Sequence, residues 1–312
     1  MTRVAAYDCG TNSLRLLVAD LDEHTGRARE VFRDMRIVRL GENVDRTGTI
    51  SPAALERVLG AVTEFARVAQ RHGAERTVFA ATSAARDADN ATSFMAGVEM
   101  RVGVAPVVLS GEQEARLSFD GAVRTLQAAV PGPHLVVDIG GGSTECILGS
   151  SGGSRPEVSA AQSLDIGSVR ITERHLIGDP PTRAEIDAAV TDIEDTLDTL
   201  DVDITAAESV IGVAGTVTTV AAGALRLSSY QRDVIHHSVI DVASVQATVA
   251  SLLAMNVAQR RALGYMHPGR ADVIGGGGLI LDRLLRRTSV NAILVSEQDI
   301  LDGLAWSALD TD

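Results

Sequence analysis

The 312-residue sequence contains no lysine, so all 28 of its basic residues are arginine. That absence excludes a Walker-type phosphate loop, which needs its lysine on the phosphates, and any Schiff-base mechanism. Phosphate binding would have to rely on backbone amides, hydroxyls, a metal ion and arginine, whose planar fork suits phosphate oxygens. Cysteine is nearly absent as well. Cys9 and Cys146 are the only two, too few for a disulfide framework and without the grouped partners of a zinc site. No apolar run is long enough to cross a bilayer, and no basic-then-apolar leader opens the chain, so no membrane role is expected and the cytoplasm is the expected compartment. Basic charge is in deficit too: the formal net charge of −13 argues against general nucleic-acid binding. For a polyanionic substrate, the same charge requires arginines to be gathered locally.

What is present is an ordinary globular composition, 45% hydrophobic and 22% charged. The length exceeds that of a usual single core, so two domains are expected. The most informative stretch is His134-Leu135-Val136-Val137-Asp138-Ile139-Gly140-Gly141-Gly142-Ser143-Thr144-Glu145. A buried strand runs into a glycine turn, and Cys146-Ile147-Leu148 resumes the apolar pattern, which predicts a hairpin. Without Cβ atoms, Gly140, Gly141 and Gly142 let amides approach a ligand and form an anion-binding concavity. Asp138 and Glu145 bracket the turn with hard oxygens that suit Mg²⁺ carrying phosphate. The alternative is a plain Gly-rich hairpin with Asp138 as a turn former.

A second copy sharpens the signal. Val4-Ala5-Ala6-Tyr7-Asp8-Cys9-Gly10-Thr11-Asn12-Ser13 repeats the order of apolar strand, aspartate, one residue, glycine and hydroxyl residues, with Leu14, Leu16, Leu17 and Val18 returning. Two Asp-x-Gly hairpins suggest two related half-domains facing a common phosphate cleft. Arg15 on the returning strand either reaches an anion or is a surface arginine. Residues 27–40 fit a third strand, and Ser51-Pro52 starts a helix that ends near Gly73.

Thr77 to Ala81 reads as a strand running into small residues and a helix start, where anions bind in open α/β sheets. Arg86 either projects into that crevice or pairs with Asp87 or Asp89. Val104 to Leu109 predicts another strand, and residues 110–130 a helix with Ser110 as its cap. Glu112 and Glu114 both suit the helix dipole in its first turn, and either could serve as a general base. Pro131-Gly132-Pro133 marks a domain junction. Gly149 to Ser154 reads as a loop tip without function, and Gln162 to Arg170 as strand, turn and helix. Val210 to Thr219 brings a third glycine turn, with Gly215 and Thr216 at its end. His236 and His237 precede an alternating strand and are expected on opposite faces, unable to share a metal.

Taken together, Asp8-Cys9-Gly10-Thr11-Asn12-Ser13-Leu14-Arg15, Ser110-Gly111-Glu112-Gln113-Glu114-Ala115, Asp138 to Glu145 and Gly212-Val213-Ala214-Gly215-Thr216 resemble the exopolyphosphatase and guanosine pentaphosphate phosphohydrolase family. The resemblance implies an α/β fold of two ribonuclease-H-like domains of the actin-like ATPase superfamily, flanking a cleft. The expected domains are 1–130, joined by the C-terminal helix 297–312, and 131–296. The chain resembles the short, two-domain form.

The implied activity is Mg²⁺-dependent removal of terminal orthophosphate from inorganic polyphosphate, with Mn²⁺ as an alternative ion. Related members cleave guanosine pentaphosphate, so guanosine penta- or tetraphosphate is an alternative substrate or inhibitor. The resemblance assigns the catalytic base to Glu114 and the metal-associated acids to Asp138 and Glu145, with Asp8 added from the first hairpin. It assigns phosphate contacts to Arg15, Arg86 and, more loosely, Arg270. The glycine turns add Thr11, Asn12, Ser13, Gly140, Gly141, Gly142, Ser143, Gly215 and Thr216 as substrate-binding candidates. A homodimer is implied. Two rivals remain: a small-molecule kinase of the same superfamily, and a nucleotide-gated scaffold without turnover.

Overall fold

The computed structural model describes residues 1–126, 130–151 and 156–310. It divides into two compact units, one comprising Met1–Gly121 with the chain from Ile300 onward, the other Ala122–Asp299.

The first unit is built on five strands: β1 (Thr2–Cys9), β2 (Ser13–Asp22), β3 (Arg27–Ile37), β4 (Arg76–Ala81) and β5 (Val107–Val108), in the order β3-β2-β1-β4-β5. β1 to β3 form an antiparallel meander, while β4 and β5 join parallel to β1. β1 is covered on both faces, which its nearly unbroken apolar run requires. The Pro52–Arg71 helix starts as expected, with Ser51 Oγ accepting from the Ala54 amide and Pro52 at the first position. Ala54, Val58, Val62 and Phe65 form its buried stripe. The Ile300–Ser307 helix covers the other face, packing Ile300, Leu301, Leu304 and Ala305 with Val4, Ala6, Leu17 and Ala19.

The second unit repeats this plan. Its strands are β6 (His134–Ile139), β7 (Thr144–Ser150), β8 (Glu157–Leu164), β9 (Ser209–Val213), β10 (Val239–Asp241) and β11 (Ala292–Val295), in the order β10-β11-β9-β6-β7-β8. Taken from β8, the series β8-β7-β6-β9-β11 reproduces the first sheet, again as an antiparallel meander followed by two parallel strands. β10 is an added antiparallel edge. The Ile274–Leu285 helix begins Ile-Gly-Gly-Gly-Gly. A Cβ at Gly276 would crowd Thr172 Oγ1 and the Ser168 carbonyl, and one at Gly277 would crowd Thr216 and Ser168. The glycines thereby let this helix lie close against the Ser168–His175 helix behind the central turn.

Three expectations change. The strand expected over 104–109 shrinks to Val107–Val108, both exposed at a sheet edge just after Pro106, which has no N–H for a ladder. The helix expected over 110–130 runs from Gly111 to Val123. It closes with a tight Leu126 N–H to Val123 carbonyl bond, and Thr125 is drawn to Gln298. His236 and His237 do not alternate across a strand: His237 has a left-handed backbone (φ 60°), and the two rings stack 3.8 Å apart. Part of the expected helix tail and of the 149–154 loop tip lies outside the described residues. Among the described residues no helix is long and apolar enough to cross a membrane.

Candidate active site

In the first hairpin Asp8 and Arg15 stand directly opposite each other on β1 and β2. Arg15 donates to Asp8 Oδ2 from Nη2 at 2.6 Å and from Nε at 2.9 Å. Arg15 is therefore fixed by Asp8 rather than left as a mobile surface side chain. The turn closes with the Gly10 amide on the Ser13 carbonyl. Behind it, the Thr11 carbonyl accepts from Gly41, and the Asn12 carbonyl from Val38 and Arg39. In a planar peptide the following N–H points opposite to the carbonyl, so the amides of Asn12 and Ser13 are turned away from that segment. Thr11 Oγ1 lies 2.8 Å from Ser83 Oγ, which ties the hairpin to the end of β4.

The same unit resolves the two candidate acids. Ser110 and Gln113 cap the Gly111–Val123 helix reciprocally. Glu112 pairs with Arg116 one turn on, with its side chain 67% exposed. Glu114 is turned inward, 10% exposed, with Oε2 3.2 Å from Arg86 Nη1. The same Arg86 nitrogen donates to the Leu109 carbonyl at 2.9 Å. Arg86 thus joins neither Asp87 nor Asp89 in these bonds; it fastens Glu114 to the end of β5.

In the second unit Asp138 and Glu145 are likewise directly opposed across a hairpin, on β6 and β7, and both are buried. Ser163 Oγ donates to Glu145 Oε1 at 2.7 Å. The Gly140 amide closes the turn on the Ser143 carbonyl at 3.0 Å, matching Gly10 and Ser13. Two residues that the sequence reading passed over hold this turn: Gly167 and Arg170. The Gly140 and Gly141 carbonyls accept from the amides of Ser168, Val169 and Arg170, and the Gly142 carbonyl accepts from Arg170 Nε at 2.9 Å. A Cβ on Gly167 would overlap the Gly141 and Gly142 backbone. Their only trace in the sequence is a Gly-Ser step between a strand and a helix.

The third turn follows β9. Ala214 has a left-handed backbone (φ 64°) where strand becomes helix. The Arg270 guanidinium lies against Gly215, occupying the space a Cβ would need. Arg270 Nη1 reaches the Gly215 carbonyl at 3.5 Å and Thr219 Oγ1 at 3.4 Å. The Thr216 side chain is buried against Gly277. Burial, then the nearby Arg270 charge, pushes His267 below its ordinary value. Burial raises the Glu297 carboxyl despite the Tyr230 hydroxyl it accepts from at 2.5 Å.

The sequence model of the Ppx/GppA phosphatase family matches residues 17–312. The chain belongs to that family. Within it, the chain is 44% identical to Exopolyphosphatase 2 of Mycobacterium tuberculosis over 320 aligned residues, 98% of each protein. The crystal structure of an exopolyphosphatase-like protein, 41% identical, matches with a TM-score of 0.93 over 98% of this chain and 97% of that one. The Aquifex aeolicus PPX-GPPA enzyme, 28% identical, matches at 0.80 over 98% and 99%. The two-sheet α/β architecture is the one these structures share, that of the actin-like ATPase type.

Proposed function

We propose that the chain is an exopolyphosphatase, a phosphoric anhydride hydrolase that removes orthophosphate from the end of inorganic polyphosphate with the help of Mg²⁺. The observation that carries this reading is the Gly140–Ser143 turn, whose three glycine carbonyls are bound behind it while Asp138 and Glu145 stand as a buried pair at its base. Family membership and the name of the 44% identical relative support the same reaction.

Mg²⁺ is usually held by one or two carboxylates and completes its octahedron with water and substrate phosphate. Asp138 and Glu145, two buried carboxylates directly opposed at the turn, fit that habit. Mn²⁺ accepts the same oxygen donors. When bound, the ion supplies positive charge to the oxygens of the terminal phosphoryl group.

The chain's own residues do the rest. The family resemblance assigns the grip on the terminal phosphoryl group to amides of the Gly140–Ser143 and Thr11–Ser13 turns, and to Glu114, which Arg86 orients, the proton of the attacking water. A bond forms between that water oxygen and phosphorus as the anhydride bond breaks. The departing chain leaves as an anion, its charge met by Arg15 and Arg270. With a loose transition state, positioning and charge stabilisation supply most of the rate. Asp8 serves by holding Arg15. Family resemblance adds a homodimer, and guanosine penta- or tetraphosphate as an alternative substrate or inhibitor.

Orthophosphate release should be measured on tripolyphosphate, long polyphosphate, guanosine pentaphosphate and ATP, with Mg²⁺ and with chelator. Release from polyphosphate without an acceptor, lost on chelation, is expected; turnover only with an acceptor would mark a kinase. Glu114→Gln should lower kcat by about 10²–10⁴-fold, and near-normal turnover would remove Glu114 from its role.

A further inference from the structure

The Ser168–His175 helix lacks a side-chain cap at Gly167. The first amides of any helix need partners, and here the Gly140 and Gly141 carbonyls provide them for Ser168, Val169 and Arg170. The turn is therefore the cap of this helix, and that helix end is already occupied.

The exchange has a consequence for the opposite side of the turn. Since the carbonyls of Gly140, Gly141 and Gly142 face the helix and Arg170, peptide planarity sends the N–H groups of Gly141, Gly142 and Ser143 the other way. Gly142 and Ser143 are buried. Among the described residues, none of these three amides donates to a protein group. Buried amides without partners are rare in native structures, and a row of three suits an anion.

Arg170 is itself buried, 9% exposed. A guanidinium in that position is costly unless its donors are satisfied. Its Nε binds the carbonyl of the same peptide unit that carries the Ser143 N–H. A charge-assisted bond on one end of a peptide polarises the other, which makes that N–H a better donor.

We infer that Arg170 is a positioning residue for the reaction: through the Gly142 carbonyl it holds the Gly141, Gly142 and Ser143 amides in the orientation that grips a substrate phosphate. The inference rests on the turn being the phosphate cradle of the proposed exopolyphosphatase, and the test separates the two.

Three full-length variants are compared by kcat/KM on tripolyphosphate and by the inhibition constant of inorganic phosphate. Arg170→Gln should lower kcat/KM by about 10- to 100-fold and weaken phosphate inhibition. Gly167→Ala, whose Cβ would push directly on the turn, should do the same. Ile171→Ala, in the core of the same helix, should lose stability yet keep both constants at a temperature where it is folded.

Normal constants for Arg170→Gln beside impaired ones for Gly167→Ala would overturn the Arg170 role and leave the cradle standing. Normal constants for Gly167→Ala would remove the cradle, and Arg170's role with it. Equal kinetic losses in Arg170→Gln and Ile171→Ala would reduce Arg170 to a packing residue. If Arg170→Gln does not fold, Arg170→Lys replaces it: it keeps the charge but not the planar N–H geometry. Weakened phosphate inhibition in Arg170→Lys supports positioning, and parental inhibition overturns it.

Discussion

Two glutamates in one helical turn meet opposite fates, and neighbouring atoms account for the difference. Glu112 faces water beside Arg116, while Glu114 is drawn inward by Arg86, whose own position is set by the Leu109 carbonyl. Gly215 and Arg270 show the same dependence of one residue on another. Gly215 has no positive φ, so alanine suits its backbone, but the new methyl would occupy the place of the Arg270 guanidinium. That group ends a flexible side chain and can move aside. Gly215→Ala should therefore keep the parental melting temperature while raising KM for tripolyphosphate by about tenfold or more, and Arg270→Gln should match it. A normal KM in both would detach Arg270 from the substrate. Other arginines serve stability. Hydrogen bonds from Arg3, then Arg29, hold the Asp20 carboxyl far below the usual carboxylate range. A carboxyl lowered in the folded state contributes stability that is present above its unfolded value, about 3.9, and fades as the pH falls toward the folded one. Asp20→Asn should thus lower Tm at pH 7, and the gap from the parent should narrow as pH drops below about 4. A gap independent of pH would contradict the ion-pair origin.

At the scale of elements, the Glu114 helix depends on a crossing with the far end of the chain. A Cβ on Gly303 would overlap the Leu117 carbonyl, so the Ile300–Ser307 and Gly111–Val123 helices touch backbone to side-chain-free backbone. Gly303→Ala must part them, at an expected cost of about 1–3 kcal/mol, read from the denaturation midpoint. Unchanged stability would mean that the helices reseat freely. The resemblance led to the expectation that helix 297–312 joins the first domain, but no residue pattern announced this particular contact, since it joins positions remote along the chain. The hairpins were legible because each writes its chemistry locally: an apolar run, an aspartate, a glycine turn and a returning run. That two related half-domains are present followed once the pattern was seen twice. Gly167 and Arg170 escaped notice because their work is done on a turn 25 residues or more upstream. The stacked histidines escaped because one left-handed residue cancelled the alternation that a strand would impose. β5 was overread because apolar content alone does not show whether a run is covered.

For the molecule as a whole, the unresolved tension lies between a net charge of −13 and a polyanionic substrate. The arginines divide by task. Arg3 and Arg29 bind Asp20, Arg33 binds Asp302, and Arg283 and Arg287 bind Glu194, all neutralised within the architecture. Arg15 binds Asp8 beside the first turn and Arg86 binds Glu114, while Arg170 and Arg270 contact the backbone of the second and third turns. Under the proposed function a terminal phosphate is held at close range by turn amides and guanidiniums, whereas the rest of a long polymer meets the protein's overall negative charge. Salt acts on the two unequally, because its screening length, about 10 Å at 0.1 M, exceeds the contacts at a turn but not the span of a polymer. Raising KCl from about 20 to 200 mM at constant free Mg²⁺ should lower kcat/KM for tripolyphosphate by weakening local attraction. For chains of hundreds of phosphates the same change also relieves repulsion, so kcat/KM should fall less or rise. The ratio of long-chain to short-chain kcat/KM should therefore climb with salt. A ratio that stays flat or declines would show that the overall charge does not act on the polymer, and that the arginines at the turns govern capture alone.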